Sequence, residues 1–365
     1  MKLCMFSPPD HELERGWPGR IEGDRVIQLA AQTIEAFFSG GGQAREHEEY
    51  RLQDVRLLAP IRRPPSFRDF YAFEQHVKNA AAVVGRPGVP EEWYEIPVFY
   101  FSNPAAIYGP DDDIPYPEGT QKLDYELEVA AVIGAEGKIA GFTVMNDWSA
   151  RDLQRKEMAV GLGPAKGKDF ATSLGPVVVT ADELGDLRLE MVARVNGEER
   201  SRGNLGELHW PWETIVAHAA RNTELRPGDV IGSGCVGTGC ILEHGDERWL
   251  QPGDEVERAI VESVPEVDSV KTHLEPLAEP GEGRVDYAAA AADRALIERI
   301  VQETTGSAPR ELRFLQTDDG LLAYLTLALD PHTTLAEAHA RASEIEERVR
   351  RERPEIADVI VHTEP

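Results

Sequence analysis

The chain has 365 residues, which at roughly 150 residues per domain predicts about two domains and leaves ample length for a buried core. Asp and Glu (65) outnumber Lys and Arg (38), and a formal net charge of -27 argues against binding to nucleic acid or to anionic membranes, since both are negatively charged. Hydrophobic residues make up 41% of the chain and charged residues 28%, a balance typical of globular proteins and not of disordered ones.

The sequence shows no sign of an oxidising compartment or of a membrane segment. Three cysteines, Cys4, Cys235 and Cys240, are too few for a disulfide framework, and the N-terminus lacks the basic start and apolar stretch of a signal peptide. The longest apolar runs, such as 321–329, are about half as long as a membrane helix. We therefore expect a cytoplasmic protein without a membrane span.

Residues 1–261 contain many short β-type runs separated by Gly and Pro turns, a pattern typical of a mainly β domain. Helical spacing is confined to three stretches, at 74–84, 149–158 and 212–220. Strands are thus expected to dominate this part of the chain, which is α+β overall.

The pattern changes after residue 261. Residues 262–284 combine three prolines with acidic residues and little apolar periodicity, which predicts a linker. Residues 285–365 then predict a small αββαβ, ferredoxin-like unit. Its expected elements are a helix over 285–305, strands over 311–317 and 321–329, a helix from a capping box at Thr334 to about Arg351, and a strand over 356–362.

An acidic alternation marks the segment LDYELEVAAVIG. In one continuous strand, Asp124, Glu126 and Glu128 would share a face with about 7 Å between neighbours. One interpretation is a strand face that is wet at this end. The other is a site for a hard divalent cation, because Mg²⁺ and Ca²⁺ prefer oxygen ligands and no Cys or His lies nearby in the sequence.

The segment GFTVMNDWSARDLQ predicts an apolar strand that runs into a helix starting at Ser149. Asp147, at the end of that strand, either caps the helix or faces a site. Arg151 and Gln154 lie three residues apart and either face solvent together or contact a ligand together.

Two other segments carry candidate groups. FRDFYAFEQHVKNA places Asp69, Tyr71 and His76 just before or within a helix; a single histidine is more often structural, and a general base is the alternative. GPAKGKDFATSLGP reads as a flexible loop that carries Lys166 and Lys168.

The segment GSGCVG at 232–237 matches the dinucleotide-binding pattern of glycines. It lies late in a β-rich region, however, and the residues TGCILEH that follow do not read as the start of a helix. We interpret it as a glycine loop that allows a close approach of the backbone to a ligand.

Taken together, these segments resemble the fumarylacetoacetate hydrolase family. The resemblance runs from about residue 57 to residue 260 and rests on RDFYAFEQH, PVFYF, LDYELEVAAVIG, MNDWSARDLQ, GKDF and GSGCVGTGCILE in the family's order. It implies a mainly β fold with a strongly curved central sheet, a homodimer, and a Mg²⁺ or Ca²⁺ ion, with Mn²⁺ as a further option. The expected organisation is a β-rich segment over 1–56, a catalytic domain over 57–261, a linker and a C-terminal unit.

The resemblance also assigns roles to individual residues. His76 is implied as the base that activates water, with Glu243 orienting it and Lys168 as a further catalytic residue. The implied metal ligands are Asp69, Glu126, Glu128 and Asp147. The implied substrate-binding residues are Tyr71, Tyr100, Arg151, Gln154 and Cys235.

Three features depart from the family pattern. The region before the match is only about 56 residues, shorter than in fumarylacetoacetases proper. Cys235 stands where Thr is common, which changes a substrate hydrogen bond. Asn79 occupies the place, three residues after His76, where small acylpyruvase-type relatives have Glu, so Glu243 is the favoured partner of the histidine.

The last 80 or so residues are similar to the cytoplasmic domain of cation diffusion facilitator transporters, through the segment TLAEAHARASEIEERVRRERPEIADVIVHTEP. This resemblance implies dimerisation or metal sensing. His339, His362 and Glu364 match positions that hold metal in some transporters, with His332 as a weaker candidate. Surface histidines in a dimer contact are the alternative interpretation.

The sequence therefore predicts a metal-dependent homodimeric hydrolase that cleaves a C–C bond in a 1,3-diketo acid of the fumarylacetoacetate, fumarylpyruvate or acylpyruvate type, within the catabolism of aromatic compounds. An isomerase or decarboxylase of 2-hydroxymuconate-type diacids is the alternative within the same scaffold. A catalytically retired metal-sensing scaffold is the alternative from another class.

Overall fold

A computed structural model describes residues 1–8, 15–185, 187–260, 269–276, 287–317, 320–328 and 356–364, together with residues 341, 344–345, 348–349 and 351–353. The chain divides into two compact units, Met1–Leu277 and Ala278–Pro365. Among the described residues, no helix is long and apolar enough to cross a membrane.

Strands make up most of the first unit. In chain order they are β1 (Lys2–Ser7), β2 (Trp17–Glu22), β3 (Arg25–Leu29), β4 (Glu46–Arg51), β5 (Arg56–Leu58), β6 (Phe67–Phe70), β7 (Phe99–Phe101), β8 (Ile107–Tyr108), β9 (Asp113–Tyr116), β10 (Leu123–Asp124), β11 (Leu127–Ile133), β12 (Ile139–Asp147), β13 (Ser149–Ala150), β14 (Thr172–Leu174), β15 (Val178–Thr180), β16 (Glu190–Val195), β17 (Glu198–Asn204), β18 (Val230–Gly232), β19 (Glu255–Ile260) and β20 (Ser269–Pro276). The helices are α1 (Ile34–Ser39), α2 (Glu74–Val83), α3 (Arg151–Met158), α4 (Trp212–Ala220) and α5 (Ile241–His244). The mainly β fold predicted from the sequence is confirmed.

The main sheet has 13 strands, ordered β4-β3-β2-β1-β15-β12-β11-β18-β6-β7, with β5, β8 and β14 paired beside this path. Its central strand β11 reads LEVAAVI, and all seven residues are buried. Val129, Ala131 and Ile133 pack into one hydrophobic core, whereas Ala130 and Val132 pack into a second core. Because side chains alternate along a strand, β11 is covered on both faces by the two cores, and it is held on both edges by β12 and β18.

A second sheet, ordered β17-β16-β19-β20-β9, lies in the same unit. Strand β20 falls inside the segment 262–284 that the sequence predicted as a linker, and it pairs antiparallel with β19 and parallel with β9. The linker prediction is therefore wrong for Ser269–Pro276. The prolines and acidic residues around this strand led to the linker prediction, and its pairing partner β9 is remote in sequence.

The second unit contains α6 (Tyr287–Thr305), β21 (Glu311–Thr317), β22 (Gly320–Ala328) and β23 (Ile356–Glu364). The strands form a sheet ordered β21-β22-β23, with an antiparallel pair followed by a parallel pair. Buried residues of α6 and the strands, with Ile345 and Val349, form its core. Residues 341, 344–345 and 348–349 are helical, as predicted, whereas the capping box at 334–337 lies outside the described residues.

Candidate metal centre and active site

Four carboxylates converge at neighbouring strands of the main sheet. Asp69 lies in β6, Glu128 in β11 and Asp147 at the end of β12, and β12, β11, β18 and β6 are consecutive neighbours. Glu126 lies just before β11, where its N–H donates to Asn146 Oδ1 at 2.7 Å. All four side chains are buried, and one oxygen atom of each lies within 4.8 Å of the others.

The predicted face of three carboxylates on one strand is partly wrong, because the segment 123–134 is not one strand. It breaks at Tyr125–Glu126, between β10 and β11. Asp124 instead accepts hydrogen bonds from Arg151 Nε at 2.8 Å and from the backbone N–H groups of Ile241 at 2.8 Å and Leu242 at 3.1 Å. Asp124 thereby holds the start of α5 and the guanidinium, so it is a positioning residue, and neither the wet strand face nor the shared cation site considered for it applies.

Two buried cations balance part of the negative charge. Lys168 Nζ donates to Glu126 Oε2 at 2.6 Å and also to Asp147. Arg151 Nη2 donates to Glu126 Oε1 at 2.8 Å, and Arg151 Nη1 donates to Gln154 Oε1 at 3.1 Å. The helix predicted from Ser149 begins at Arg151, because Ser149 pairs with Asp124 as part of β13. The predicted alternative of a solvent-facing Arg151 is wrong, since its guanidinium is buried.

The four carboxyl groups differ in how readily they ionise. Burial raises the pKa of Asp69 and Glu128 well above the ordinary value, and neighbouring carboxylates add to the effect. Burial also raises the pKa of Asp147, although Lys168 opposes it. For Glu126 the cations outweigh burial, so its pKa lies well below the usual range. Only Glu126 is therefore strongly held in the charged form by the protein's own cations.

The cluster fits a hard divalent cation. Asp147 Oδ1 and Glu128 Oε1 are buried and have no hydrogen-bond partner, and such atoms are costly unless something binds them. A site made entirely of carboxylate oxygens suits Mg²⁺, Ca²⁺ or Mn²⁺ and not a soft metal. The residues present can thus hold a metal ion of the predicted class.

A histidine and a glutamate form a second group. His76, buried in α2, places its Nδ1 3.0 Å from Glu243 Oε2 of α5. The N–H direction does not suit a hydrogen bond, so the contact is an ion pair. Glu243 is itself held by Asn79 Nδ2 at 2.8 Å and by the backbone N–H groups of Thr238 at 3.2 Å and Gly239 at 3.1 Å.

The environment of His76 favours the imidazolium form. Burial lowers its pKa, but contacts with Cys240 and Glu243 outweigh burial and raise the pKa of His76 to about 10. Cys240, which the sequence analysis did not assign, is thus a neighbour of the histidine. Its spacing of five residues from Cys235, across a glycine turn, was the available signal.

The glycine loop approaches the carboxylates closely, and its predicted approach to a ligand stays a prediction. The Gly234 N–H lies 3.1 Å from Glu128 Oε2 and 3.3 Å from Asp69 Oδ1. Gly234 has φ +80°, and a Cβ on it would lie 2.3 Å from the carbonyl oxygen of Phe70, so only glycine fits there. The loop does lead into a helix, contrary to the prediction, but α5 has only four residues.

The predicted substrate-binding residues surround these two groups. The Tyr100 hydroxyl donates to Asp147, and Lys168 Nζ lies 5.6 Å from the Tyr100 ring centroid. The Tyr71 ring meets the His76 ring edge-on at 5.2 Å. Cys235 is buried. Its sulfur lies within 4.8 Å of a ring nitrogen of His76, the sulfur of Cys240 and a carboxylate oxygen of Glu243. Lys166, in contrast, is exposed and pairs with Asp169 at 2.9 Å.

Metal ligands are also predicted in the second unit. His339, like His332, lies outside the described residues, and of His362 and Glu364, both in β23, the structure describes only the backbone. A metal role for these residues stays a prediction.

Comparison with known proteins agrees with this geometry. Residues 66–271, more than half of the chain, match the family described as fumarylacetoacetate (FAA) hydrolase C-terminal. The chain belongs to the fumarylacetoacetate hydrolase family. Residues 291–365 match the family described as cation efflux protein, cytoplasmic domain, so both predicted resemblances are confirmed.

Relatives within the family carry several activities. A mitochondrial oxaloacetate tautomerase of Rattus norvegicus is 32% identical over 72% of this chain and 89% of its own length. A fumarylacetoacetase of Arabidopsis thaliana is 27% identical over 66% of this chain and 72% of its own. Among solved structures, a 5-carboxymethyl-2-hydroxymuconate delta-isomerase of Mycobacterium smegmatis is 28% identical, has a TM-score of 0.58, and covers 76% of this chain and 100% of its own.

Proposed function

We propose that the chain is a divalent-metal-dependent hydrolase that cleaves a C–C bond in a 1,3-diketo acid. The observation that carries the proposal is the buried pair of His76 and Glu243, 3.0 Å apart, in the same unit as a four-carboxylate metal centre. Hydrolysis adds water across the bond between the attacked carbonyl and the adjacent carbon, which yields one carboxylic acid and one oxo acid, a 2-oxo acid from acylpyruvates and a 3-oxo acid from fumarylacetoacetate.

The proposed division of work follows from the contacts. Asp69, Glu126, Glu128 and Asp147 would hold the metal, which supplies Lewis-acid polarisation of a substrate carbonyl and stabilises enolate charge. Arg151 and Lys168 restore positive charge beside these carboxylates and so admit an anionic substrate. Tyr71, Tyr100, Gln154 and Cys235 surround the two groups and would shape the substrate pocket.

His76 would move the proton. Glu243 fixes the ring, and a ring nitrogen that loses its proton to the environment can accept one from water and then return it to the leaving carbanion. The high pKa of His76 means that substrate or metal charge must favour the neutral ring before water is activated. We therefore expect hydrolysis to increase toward alkaline pH.

A keto–enol tautomerase acting on a 2-oxo diacid is the second candidate. The protonated state of His76 favours it, because an imidazolium is ready to donate a proton to an enolate carbon. Relatives named as oxaloacetate tautomerases, 34% identical in Homo sapiens, favour it too. Isomerisation or decarboxylation of 2-hydroxymuconate-type diacids is the related alternative, in line with the named isomerase among the solved structures.

Product identification separates the candidates. The purified chain with Mg²⁺ is incubated with acylpyruvates, fumarylpyruvate, fumarylacetoacetate and oxaloacetate, and products are identified by chromatography. A carboxylic acid plus a 2-oxo acid, or a 3-oxo acid in the case of fumarylacetoacetate, establishes hydrolysis. Interconversion of keto and enol forms without cleavage establishes the tautomerase, and no reaction on any substrate would favour a catalytically retired scaffold.

We also propose that the chain forms a homodimer in the cytoplasm. The match of residues 291–365 to a cytoplasmic efflux domain supports dimerisation through the second unit. Light scattering of the full chain and of a version ending at Leu277 tests it, and a monomeric full chain would contradict it.

A further inference from the structure

A group of soft-metal ligands lies around His76. The Sγ atoms of Cys235 and Cys240, a ring nitrogen of His76 and a carboxylate oxygen of Glu243 all lie within 4.8 Å of one another. The group is separate from the four-carboxylate centre in its residues and in its donor chemistry, since it offers sulfur and nitrogen where that centre offers oxygen alone.

The loop between the two cysteines is built to bring their sulfurs together. It reads Cys235-Val-Gly-Thr-Gly-Cys240, with Thr238 at φ +62°. A Cβ on Gly239 would lie 2.8 Å from Cys235 Sγ, so a larger residue at 239 would push the sulfur away. Both cysteines are free and buried.

The distances are close to those of a tetrahedral site. With bonds of about 2.3 Å to sulfur and about 2.1 Å to nitrogen or oxygen, neighbouring ligand atoms lie roughly 3.4 to 3.8 Å apart. In the protein the Glu243 Oε2 atom lies 3.0 Å from His76 Nδ1 and 3.4 Å from Cys240 Sγ. Shifts of under about 1 Å would complete the geometry.

The surroundings of His76 Nδ1 suit a metal ligand. This nitrogen is buried and lies 3.0 Å from Glu243 Oε2, but it makes no hydrogen bond of suitable direction. A metal ion binds along the lone pair of a ring nitrogen. Such an ion would give this buried nitrogen the partner that its N–H lacks.

We propose that His76, Cys235, Cys240 and Glu243 form a second metal site, selective for soft or borderline cations such as Zn²⁺, Cd²⁺ or Co²⁺. Binding displaces the two thiol protons and one ring proton of the His76 imidazolium, and it gives a closed site of two sulfurs, one nitrogen and one oxygen. If the proposed function holds, a cation there occupies the histidine and its orienting carboxylate, so the site is inhibitory and senses excess zinc at the catalytic group itself.

Cobalt binding tests the site without reference to turnover. The reduced, metal-stripped full chain is saturated with Mg²⁺ and titrated with Co²⁺ while the near-ultraviolet spectrum is recorded. We expect a thiolate-to-cobalt charge-transfer band at one equivalent, bleached by Zn²⁺. A chain with fully reduced thiols that binds Co²⁺ without this band, or does not bind it, overturns the proposal.

Variants test which residues produce the charge-transfer band. Cys235→Ser and Cys240→Ser should each weaken or abolish it, whereas Glu126→Gln, in the carboxylate centre, should keep it. Cys4→Ala is the matched control, because Cys4 is also buried but packs in another core with Phe6 and Ile21. A band that survives in both serine variants, or is lost in the Cys4 variant, contradicts the assignment.

Inhibition provides a second readout. With Mg²⁺ saturating, the Zn²⁺ concentration that halves turnover should rise by about tenfold or more in Cys240→Ser. Equal sensitivity to zinc in the wild-type chain and in this variant would remove the regulatory part of the proposal. If the chain has no turnover at all, the charge-transfer band still decides whether the site exists.

Discussion

Replacing Glu126 with glutamine changes one charge at the centre of the site and nothing in its shape. In the wild-type chain the two carboxylate oxygens accept from Lys168 Nζ at 2.6 Å and from Arg151 Nη2 at 2.8 Å, and all three side chains are buried. An amide can accept from one cation, but it turns an NH₂ group toward the other. The variant therefore leaves buried positive charge poorly compensated.

The expected loss of stability follows from the contacts that Lys168 and Arg151 keep in the variant. Removing one partner of a buried ion pair costs about 3 to 5 kcal/mol. Lys168 keeps its contact with Asp147, and Arg151 keeps Asp124 at 2.8 Å, so the lower end applies. We expect the free energy of unfolding of the metal-free first unit to fall by about 3 kcal/mol, and Mg²⁺ to lose both its stabilising effect and its effect on turnover.

Urea denaturation with and without Mg²⁺ measures both quantities. Glu136→Gln is the matched control, because Glu136 pairs with Lys138 at 2.6 Å on the surface, with side chains 74% and 77% exposed. This control should leave the free energy of unfolding nearly unchanged, because an exposed ion pair contributes little. If the two variants are equally stable without metal, the buried ion pairs of Glu126 with Lys168 and Arg151 are refuted. If Mg²⁺ still stabilises Glu126→Gln, or if this variant keeps full metal-dependent turnover, the assignment of Glu126 as a metal ligand is refuted.

Three further predictions concern the histidine and the glycine loop. His76→Ala should lower kcat by about 10²- to 10⁴-fold while the affinity for Mg²⁺, measured by calorimetry, is unchanged; a small rate loss would remove His76 from its role. Because the pKa of His76 is raised to about 10, its contribution to stability is complete below its ordinary pKa and is lost as pH rises toward 10. Unfolding of the metal-free chain should therefore show a loss of at most about 1.4 kcal/mol per pH unit over that window, absent from His76→Ala, and identical pH profiles would disprove the shift. Gly234→Ala should be far more destabilising than Gly163→Ala. Both glycines have φ +80°, but only at Gly234 would the added Cβ lie 2.3 Å from a backbone atom, the carbonyl oxygen of Phe70. Equal thermal stability of the two variants would contradict the packing.

The sequence motifs named residues that the structure brings together, with the four carboxylates in one group and His76 beside Glu243 in another. The four proposed metal ligands, His76 and Glu243 were all named from motifs, because each motif lies within one local segment. The face expected to be shared by Asp124, Glu126 and Glu128 presumes an unbroken strand. The strand breaks at Tyr125–Glu126, where the Glu126 N–H donates to Asn146, 20 residues away.

Contacts between distant segments account for the other differences. The strand Ser269–Pro276 exists through pairing with β19 and with β9, which is more than 150 residues earlier in the chain. Cys240 gains its place beside His76 only when α5 packs near α2. Local composition and periodicity do not show such long-range pairings, and the spacing of Cys240 from Cys235 indicates only that the two cysteines lie near each other.

Loss of the enol absorbance of an acylpyruvate, recorded with the metal-stripped chain and again after addition of Mg²⁺, tests the central claim most directly. The account predicts no decay before Mg²⁺ is added, and decay afterwards with release of a carboxylic acid and pyruvate. Equal decay in the absence of any divalent cation, or Mg²⁺-dependent decay without acid release, would contradict metal-dependent C–C hydrolysis.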